Sequence, residues 1–274
     1  MNGKTMREKL HIGERVYGTM IVAESPRWPS AAAGAGIDFA FIDTEHPAHD
    51  REKMSWYCQL FEAHGVVPVV RIPSPSPYEA SAALDGGARG VIAPYIETVE
   101  QVRAHVGAVK YSPHKGERLA KHMSGEEPLE PELKDYLLKR NENNIAIVNI
   151  ESIPALEALD EMLDVEGLDA VLIGPNDLTT NLAIPNQYDH PRYIEAVDMV
   201  LTKARAKGIG FGNHIVYGGV GKEQEIRWAK MGANLIVHSI DIIAFRNGIS
   251  QEIESIKAAL SETGDEVALE DIHL

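Results

Sequence analysis

Cysteine is almost absent from this chain of 274 residues, and the single one, Cys58, leaves no partner for an intramolecular disulfide. A disulfide-scaffolded secreted domain is thereby excluded, and a reducing compartment is expected. No apolar run approaches the length that spans a bilayer, and the N-terminus lacks an apolar stretch followed by a small-residue cleavage site. The sequence therefore predicts a soluble, cytoplasmic protein.

Basic residues are also few: 26 Lys and Arg stand against 41 Asp and Glu, which gives a net charge of -15. Nucleic acids and anionic membranes attract proteins through clustered Lys and Arg, so neither is an expected partner. An anionic small molecule would have to find its cations locally.

Short apolar runs rich in β-branched residues recur along the chain and predict strands. There are eight of them: Val16–Ala23, Phe39–Ile42, Val66–Val70, Gly90–Ala93, Ile145–Ile150, Ala170–Ile173, Ile209–Gly212 and Leu235–Ile240. Between them lie stretches with helical spacing, including Pro77–Leu84, Val99–Val109, Ile153–Leu163, Tyr193–Ala206 and Glu223–Met231. Strands that alternate with helices indicate parallel pairing.

The number of these units predicts a single (β/α)8 TIM barrel over residues 1–274. A doubly wound sheet usually has fewer strands and a G-x-G-x-x-G turn after the first strand, and this chain has no such turn. The connection after the fourth strand is long and acidic, so a surface insertion is expected at about 112–143, with a short helix at Leu133–Lys139. A closing helix is expected at Ile249–Leu260, followed by an acidic tail at about 262–274.

Barrel enzymes place their chemistry at the carboxyl ends of the strands, and two acids closely follow adjacent predicted strands there. They are Glu151, after the fifth strand, and Asp177, after the sixth. Two carboxylates are too few for calcium, but they suit Mg²⁺ or Mn²⁺, which accept substrate oxygens as further ligands. A 2-oxo acid could complete such a site, and the metal would hold the negative charge of its enolate.

Other polar residues fall on the same predicted face. Arg71 could share the charge on the keto oxygen, and the turn formed by Gly174, Pro175, Asn176 and Asp177 could bind a substrate carboxylate with the N–H groups of a helix beginning near Leu178. His46 is the candidate for proton transfer, with Asp43 to orient it and Asp85 as a further partner.

Simpler explanations exist for each residue taken singly. Asp177 could be only a helix N-cap, His46 a plain loop residue, and Arg71 a structural partner of Glu45 or Glu151. The coincidence of several candidates on one face favours a site. Other histidines lack metal-ligand spacing: His105 is expected at the surface, whereas His214 and His238 are expected as satisfied interior residues of late strands.

Several motifs in this order resemble the HpcH/HpaI aldolase family, typified by 4-hydroxy-2-oxoheptanedioate aldolase. They are Ile42-Asp43-Thr44-Glu45-His46, Val69-Val70-Arg71, Leu84-Asp85-Gly86-Gly87-Ala88, Gly116-Glu117-Arg118, Asn149-Ile150-Glu151-Ser152 and the run from Asp164 to Leu178 that ends in Gly174-Pro175-Asn176-Asp177-Leu178. The resemblance extends from about Gly18 to Asp241.

The resemblance implies a class II pyruvate aldolase with Mg²⁺, Mn²⁺ or Co²⁺ bound at Glu151 and Asp177. It further implies that Arg71 contacts the keto oxygen, that His46 belongs to a proton-transfer network with Asp43 and Asp85, and that backbone groups at Asn176 and Asp177 hold the carboxylate. Members are typically hexamers that exchange C-terminal helices. Two departures, Leu119 after Arg118 and Asn149 where glutamine is common, bear on the aldehyde specificity and on the surroundings of the metal.

The function expected from the sequence is therefore metal-dependent cleavage of a 4-hydroxy-2-oxo acid to pyruvate and an aldehyde. Two alternatives remain. One is a related enolate lyase, either an acyl-CoA lyase or an oxaloacetate decarboxylase, although the acidic chain offers no obvious basic groove for coenzyme A. The other is a non-catalytic scaffold, which would be expected to lack at least one of the candidate residues.

Overall fold

The structure of the chain is a computed structural model, and it describes residues 1–215 and 221–260. Within these ranges, eight strands pair in chain order and close into a parallel barrel. The predicted (β/α)8 architecture is confirmed. The expected acidic tail at 262–274 lies outside the described residues.

The strands agree closely with the predicted apolar runs. They are β1 (Val16–Ile21), β2 (Phe39–Asp43), β3 (Val67–Arg71), β4 (Gly90–Ala93), β5 (Ile145–Ile150), β6 (Ala170–Ile173), β7 (Gly210–Ile215) and β8 (Leu235–Ile240). The largest difference is in β7, which continues beyond Gly212 through the polar residues Asn213 and His214. The apolar pattern ends at that point, so the sequence alone could not show that the strand continues.

The helices surround the barrel. They are α1 (Gly3–Ile12), α2 (Trp28–Gly34), α3 (Arg51–Ala63), α4 (Pro77–Asp85), α5 (Val99–Lys110), α6 (Glu117–Ser124), α7 (Pro131–Arg140), α8 (Ile153–Glu157), α9 (Leu159–Leu163), α10 (Pro175–Asn181), α11 (Pro191–Ala206), α12 (Lys222–Met231) and α13 (Asp241–Ala259). None of the helices in the described residues has the length and apolar character needed to cross a membrane.

The long connection between β4 and β5 holds more structure than expected. The helix predicted at Leu133–Lys139 corresponds to α7, but α6 was not predicted. The helix predicted at Ile153–Leu163 is interrupted at Ala158, which ends α8 and begins α9. The closing helix α13 begins at Asp241, directly after β8, and is longer than the predicted Ile249–Leu260.

Apolar side chains pack on both sides of the barrel wall. Inside the barrel, residues including Phe41, Val69, Ile147 and Leu172 form a closed cluster. A larger cluster fills the space between the strands and the helices. Because all the strands are parallel and covered on both faces, nearly all of their positions are buried, which explains the continuous apolar runs in the sequence.

The same topology brings several polar residues to one end of the barrel. Asp43 and Arg71 are the last residues of β2 and β3 and are paired in register. Glu151 directly follows β5, and Gly174 directly follows β6. The carboxyl ends of the strands therefore present an acid, a cation and a second acid around one opening.

His105, on α5, lies in the interior and not at the surface, so its predicted location is wrong. Only 2% of the residue is exposed, and its Nε2 lies 3.1 Å from the carbonyl oxygen of Val91 on β4. Burial lowers the pKa of His105 to about 4, since a charged imidazole is costly inside the protein. Helical spacing placed His105 on α5 but did not show that this face of the helix packs on the barrel.

We expect His105 to make the protein less stable in mild acid. The unfolded chain takes up the proton near pH 6.5 and the folded chain only near pH 4, so the free energy of unfolding falls as the pH drops through this window. The loss from this residue is about 3 kcal/mol at most. Urea unfolding at several pH values should show a shallower decline for His105→Gln than for wild type. Parallel curves would contradict the prediction.

Candidate active site

Arg71 and Asp43 form a buried bidentate ion pair at the barrel opening. The Nε and Nη2 of Arg71 donate to the two carboxylate oxygens of Asp43 at 2.8 and 2.9 Å. Their side chains are only 6% and 0% exposed. Burial alone would raise the pKa of Asp43, but its bonds with Arg71 hold that pKa below the ordinary value. Both groups therefore remain charged, and the guanidinium is fixed in place.

Glu45 is a second acid beside Arg71. The sequence analysis assigned it no role other than that of a possible structural partner of Arg71. One of its carboxylate oxygens lies 3.0 Å from Nε of Arg71, and its side chain is 8% exposed. Burial raises the pKa of Glu45 to about 7, and the nearby Glu151, Asp43 and Asp177 add to the rise while Arg71 opposes it. Glu45 can thus gain or lose a proton near neutrality. The position of Glu45 directly before His46, two residues after the buried strand β2, could have indicated in the sequence that it belongs to the site.

His46 is more exposed than its neighbours, with 38% of its side chain accessible. Its Nε2 lies 3.9 Å from a carboxylate oxygen of Glu45. Asp43 bonds to Arg71 and accepts the backbone N–H of Glu45 at 3.1 Å. The charges of Asp43 and His46 interact, but the described residues show no hydrogen bond between the two side chains. The role of Asp43 as the residue that orients His46 stays a prediction, and the hydrogen bonds of its carboxylate are made to Arg71 and to the backbone of Glu45.

Glu151 lies across the opening and is almost completely buried. One carboxylate oxygen accepts the backbone N–H of Tyr95 at 2.8 Å, and the other accepts the side-chain amide of Asn149 at 3.0 Å. Burial raises the pKa of Glu151, and the carboxylate of Asp177 raises it further. The two acids are therefore close enough for their charges to oppose each other.

Gly174 provides the space into which Glu151 fits. A Cβ atom at this position would lie 2.3 Å from Oε2 of Glu151, which is much shorter than the van der Waals contact distance between a carbon and an oxygen atom. Only glycine permits this approach between the ends of β5 and β6. The glycine before Pro175 therefore has a packing reason that is specific to the carboxylate.

The turn after β6 leads directly into α10, which begins at Pro175, three residues before the predicted Leu178. Proline at the first position has no N–H, whereas the N–H groups of Asn176 and Asp177 lie in the first turn, where intrahelical acceptors are lacking. Asp177 is half-buried beside Glu151, and the side chain of Asn176 accepts a hydrogen bond from the hydroxyl of Tyr188. Neighbouring N–H groups and a carboxylate are therefore available at one place.

The donor set fits a divalent cation bound by two carboxylates. The described residues contain no group of three or more His, Cys, Asp or Glu arranged to hold a metal ion. Glu151 is nevertheless a buried acid whose charged form is penalised, and Arg71 is already engaged by Asp43 and Glu45. A cation between Glu151 and Asp177 would relieve that penalty, and its other positions would be free for water or ligand oxygens.

Asp85 is not brought to this cluster within the chain. It is the last residue of α4, is exposed, and lines a groove of about 870 Å³ formed by α4, α5 and α6. Because α4 starts after β3 and runs back along the barrel, its final residue lies away from the strand ends. The position of Asp85 at the end of the helix that follows β3 already indicated this direction, because a helix that connects two parallel strands returns toward the start of the next strand.

The two histidines of the late strands differ from each other. His214 is interior as predicted, with 4% exposure, but its Nε2 has no hydrogen-bond partner among the described residues. His238 was also predicted to be interior, and this is wrong: its side chain is 58% exposed and lies 2.8 Å from Glu225. The exposed ion pair with α12 explains the difference.

Comparison with known proteins identifies the family of the chain. The family model described as HpcH/HpaI aldolase/citrate lyase matches residues 17–247. The chain belongs to this family. It is 29% identical over 252 residues to 2-keto-3-deoxy-L-rhamnonate aldolase of Escherichia coli K12, which covers 92% of each protein.

Solved structures of the family share the same barrel. The HpcH/HpaI aldolase of Desulfitobacterium hafniense DCB-2 is 27% identical, with a TM-score of 0.76 over 92% of this chain and 96% of the other. The citrate synthase SbnG is 26% identical, with a TM-score of 0.78 over 93% of this chain and 98% of the other. The chain is therefore an enzyme of the HpcH/HpaI aldolase/lyase class, as its sequence indicated.

Adding a methyl group at Gly174 tests whether this glycine leaves the space that the carboxylate of Glu151 occupies. Because the new Cβ would collide with Glu151, we expect Gly174→Ala to move the carboxylate by about 1 Å and to lower the free energy of unfolding by about 1–3 kcal/mol. Crystallography and urea unfolding measure the two effects. Gly34→Ala is the matched control, since a Cβ at Gly34 meets open space. An unmoved Glu151 in Gly174→Ala would contradict the prediction.

Proposed function

We propose that the enzyme cleaves a 4-hydroxy-2-oxo acid to pyruvate and an aldehyde, and catalyses the reverse addition, with the help of a divalent cation. The observation that carries the proposal is that Glu151 and Asp177 follow the paired strands β5 and β6, with their charges opposing each other and the guanidinium of Arg71 nearby. A 2-oxo acid carries two adjacent oxygen functions, so it can engage a cation and a guanidinium at once. The chain's membership of an aldolase family supports this reaction type.

Glu151 and Asp177 would hold the cation, with Mg²⁺ or Mn²⁺ as the first candidates and Co²⁺ as a third. When bound, the cation would supply Lewis-acid stabilisation of the negative charge that develops on the keto oxygen. The backbone N–H groups of Asn176 and Asp177, beside Gly174 and Pro175, would bind the substrate carboxylate. This arrangement orients the C3–C4 bond of the substrate within the opening.

Arg71 would donate a hydrogen bond to the keto oxygen. Asp43 and Glu45 engage its Nε and Nη2, so these contacts fix the guanidinium plane before the substrate arrives. Such preorganised donors stabilise a developing charge without reorganisation during the reaction. In this proposal, Asp43 contributes to catalysis by holding Arg71.

Proton transfer is assigned to His46 and Glu45. In the cleavage direction, His46 accepts the proton of the C4 hydroxyl as the C3–C4 bond breaks and the aldehyde leaves, and C3 then takes a proton to give pyruvate. Glu45 lies 3.9 Å from the ring of His46 and has a pKa of about 7, so it can share the proton. The position of Asp85 supplies no support for a role in this step within one chain.

Loss of either metal-binding carboxylate should abolish cleavage. We expect Glu151→Ala and Asp177→Ala each to reduce metal-stimulated pyruvate release by more than about 100-fold after EDTA treatment and metal restoration. The control is Glu166→Ala, which removes an acid whose side chain is 81% exposed. Full activity in either site variant would contradict the assignment.

Exchange of the methyl protons of pyruvate with D₂O tests the reaction without knowledge of the aldehyde. Metal-dependent exchange, followed by NMR, is expected in wild type and in Glu166→Ala and is expected to be lost in Glu151→Ala. A wild-type enzyme that fails to exchange these protons would contradict pyruvate as the product. It would leave the related lyases as the alternatives.

We further propose that the enzyme is a homo-oligomer in the cytoplasm, a trimer or hexamer, with α13 at a subunit contact. Four apolar residues of α13 and the Leu260 that caps it are exposed along one stripe at helical spacing: Phe245, Ile249, Ile253, Ile256 and Leu260. Successive positions three or four residues apart lie on one face of a helix. An apolar stripe of this length favours burial against another subunit.

A charge in the middle of the stripe should weaken the assembly. We expect Ile253→Asp to shift the protein toward smaller species in sedimentation velocity, because burying an unpaired carboxylate is costly. Gln251→Asp adds the same charge to the opposite face of α13 and should leave the distribution unchanged. Identical distributions for wild type and Ile253→Asp would contradict a contact at this stripe.

A further inference from the structure

The interior of the barrel contains a polar layer directly below the opening. In (β/α)8 barrels, interior side chains form layers of four, contributed by alternate strands that are staggered by one residue per strand. Starting from Arg71 on β3, the register leads through β4 to Ile147 on β5, so the member of the same layer is Asn149, two residues further.

The same step identifies the other members. From Asn149, the register leads through β6 to Gly212 on β7, and two residues further lies His214. From His214 it leads through β8 to Gly18, and two residues further lies Met20, whose own step returns to Arg71. The layer is therefore closed, and three of its four side chains are polar.

Phe41 supports this layer from below. The ring of His214 lies 5.0 Å from the ring of Phe41, and the guanidinium carbon of Arg71 lies 5.3 Å from the same ring. The polar members thus rest on an apolar base and face the opening where the substrate would bind.

Two polar atoms in this layer are buried without a hydrogen-bond partner among the described residues: Oδ1 of Asn149 and Nε2 of His214. One is an acceptor, and the other is a donor in the appropriate tautomer of a neutral imidazole. Burial, reinforced by Arg71, lowers the pKa of His214 to about 3, so the ring is neutral. The two orphaned atoms are on adjacent members of the layer and are chemically complementary.

The amide of Asn149 is already tied to the site. Its Nδ2 donates to Oε2 of Glu151 at 3.0 Å, and Gly174 confines that same oxygen from the other side. This bond fixes which end of the amide faces Glu151 and leaves Oδ1 directed elsewhere. Because Oδ1 and Nδ2 belong to one planar amide, a group that binds Oδ1 also holds Nδ2, the donor to Glu151, in place.

We propose that His214 is a positioning residue for Glu151: one water joins its Nε2–H to Oδ1 of Asn149, and this bridge holds the amide that donates to the carboxylate. We call this chain of contacts the relay: it leads from His214 on β7 through Asn149 on β5 to Glu151, the proposed metal ligand. It deepens the proposed function and rests on it, because it assigns Glu151 to the cation. Outer-sphere partners of this kind orient ligands and tune affinity for the metal.

Binding of Mn²⁺ alone, measured by electron paramagnetic resonance, tests the relay without requiring turnover. His214→Phe keeps a ring over Phe41 but removes the nitrogen, and we expect its Kd for Mn²⁺ to rise about tenfold. His214→Gln restores a donor and should return the Kd to within about threefold of wild type. His105→Phe is the matched control, since it removes another buried imidazole outside the layer and should leave the Kd unchanged.

The outcomes separate the two proposals. Wild-type binding of Mn²⁺ together with unaltered affinity in a folded His214→Phe would overturn the relay alone. Failure of the wild-type enzyme to bind Mn²⁺ would overturn the proposed metal site and the relay with it. Circular dichroism establishes that each variant is folded.

A measurement on the wild-type protein covers the case in which His214→Phe does not fold. In ¹⁵N NMR of histidine-labelled enzyme, we expect the Nε2-protonated tautomer of His214 and a change in its Nε2 shift on addition of Mg²⁺. A ring protonated only on Nδ1, or an Nε2 signal unaffected by Mg²⁺, would overturn the relay.

Discussion

The buried ion pair between Arg71 and Asp43 determines the arrangement of the site around it. A charge inside a protein is tolerated only when it is paired and hydrogen-bonded, and these two groups meet that condition because β2 and β3 end in register. The pair already engages the guanidinium of Arg71, however, and Glu45 competes for the same group. Within the part of the chain that the structure describes, the buried carboxylate of Glu151 accepts hydrogen bonds from two neutral donors, the backbone of Tyr95 and the amide of Asn149. Burial raises the pKa of Glu45 and that of Glu151, and neighbouring carboxylates raise them further, so a bound cation would favour the charged forms of both acids.

A second buried ion pair shows an arrangement in which both charged groups have further hydrogen-bond partners within the chain. At the other end of the barrel, Lys110 is paired with Asp169, and both side chains are almost fully buried. Lys110 also donates to the carbonyl of Asn144 at 2.6 Å, while Asp169 accepts the N–H of Ala146 at 2.7 Å and lies 3.1 Å from His11. Every partner belongs to the chain, so this cluster can serve stability alone. The cluster at the strand ends differs because its described residues include four acids, Asp43, Glu45, Glu151 and Asp177, around the guanidinium of Arg71. Such an excess of negative charge favours the binding of a cation.

The sequence predicted the strands well, because a parallel barrel buries both faces of each strand and so produces apolar runs that can be counted. It also placed Glu151, Asp177, Arg71 and His46 at the correct end, since each follows such a run. The failures concern direction and packing. Asp85 lies near a motif in sequence, but α4 carries it away from the strand ends, and His105 has a helical position whose burial depends on which face meets the barrel. Nor could the pairing of Asp43 with Arg71 be distinguished from an interaction with His46, because side-chain geometry decides between them.

The polar layer escaped prediction for a related reason. Asn149 lies within an apolar run and was noted only as a departure from the family near the metal, while His214 was expected to be interior but lies two residues beyond the predicted strand Ile209–Gly212. Periodicity shows that a residue faces the interior, but the stagger between strands decides which interior residues are neighbours. Once the register is known, Arg71, Asn149 and His214 form one layer above Phe41, and the core below is apolar. Phe41 therefore marks the level at which the interior of the barrel changes from apolar packing to polar side chains that face the opening.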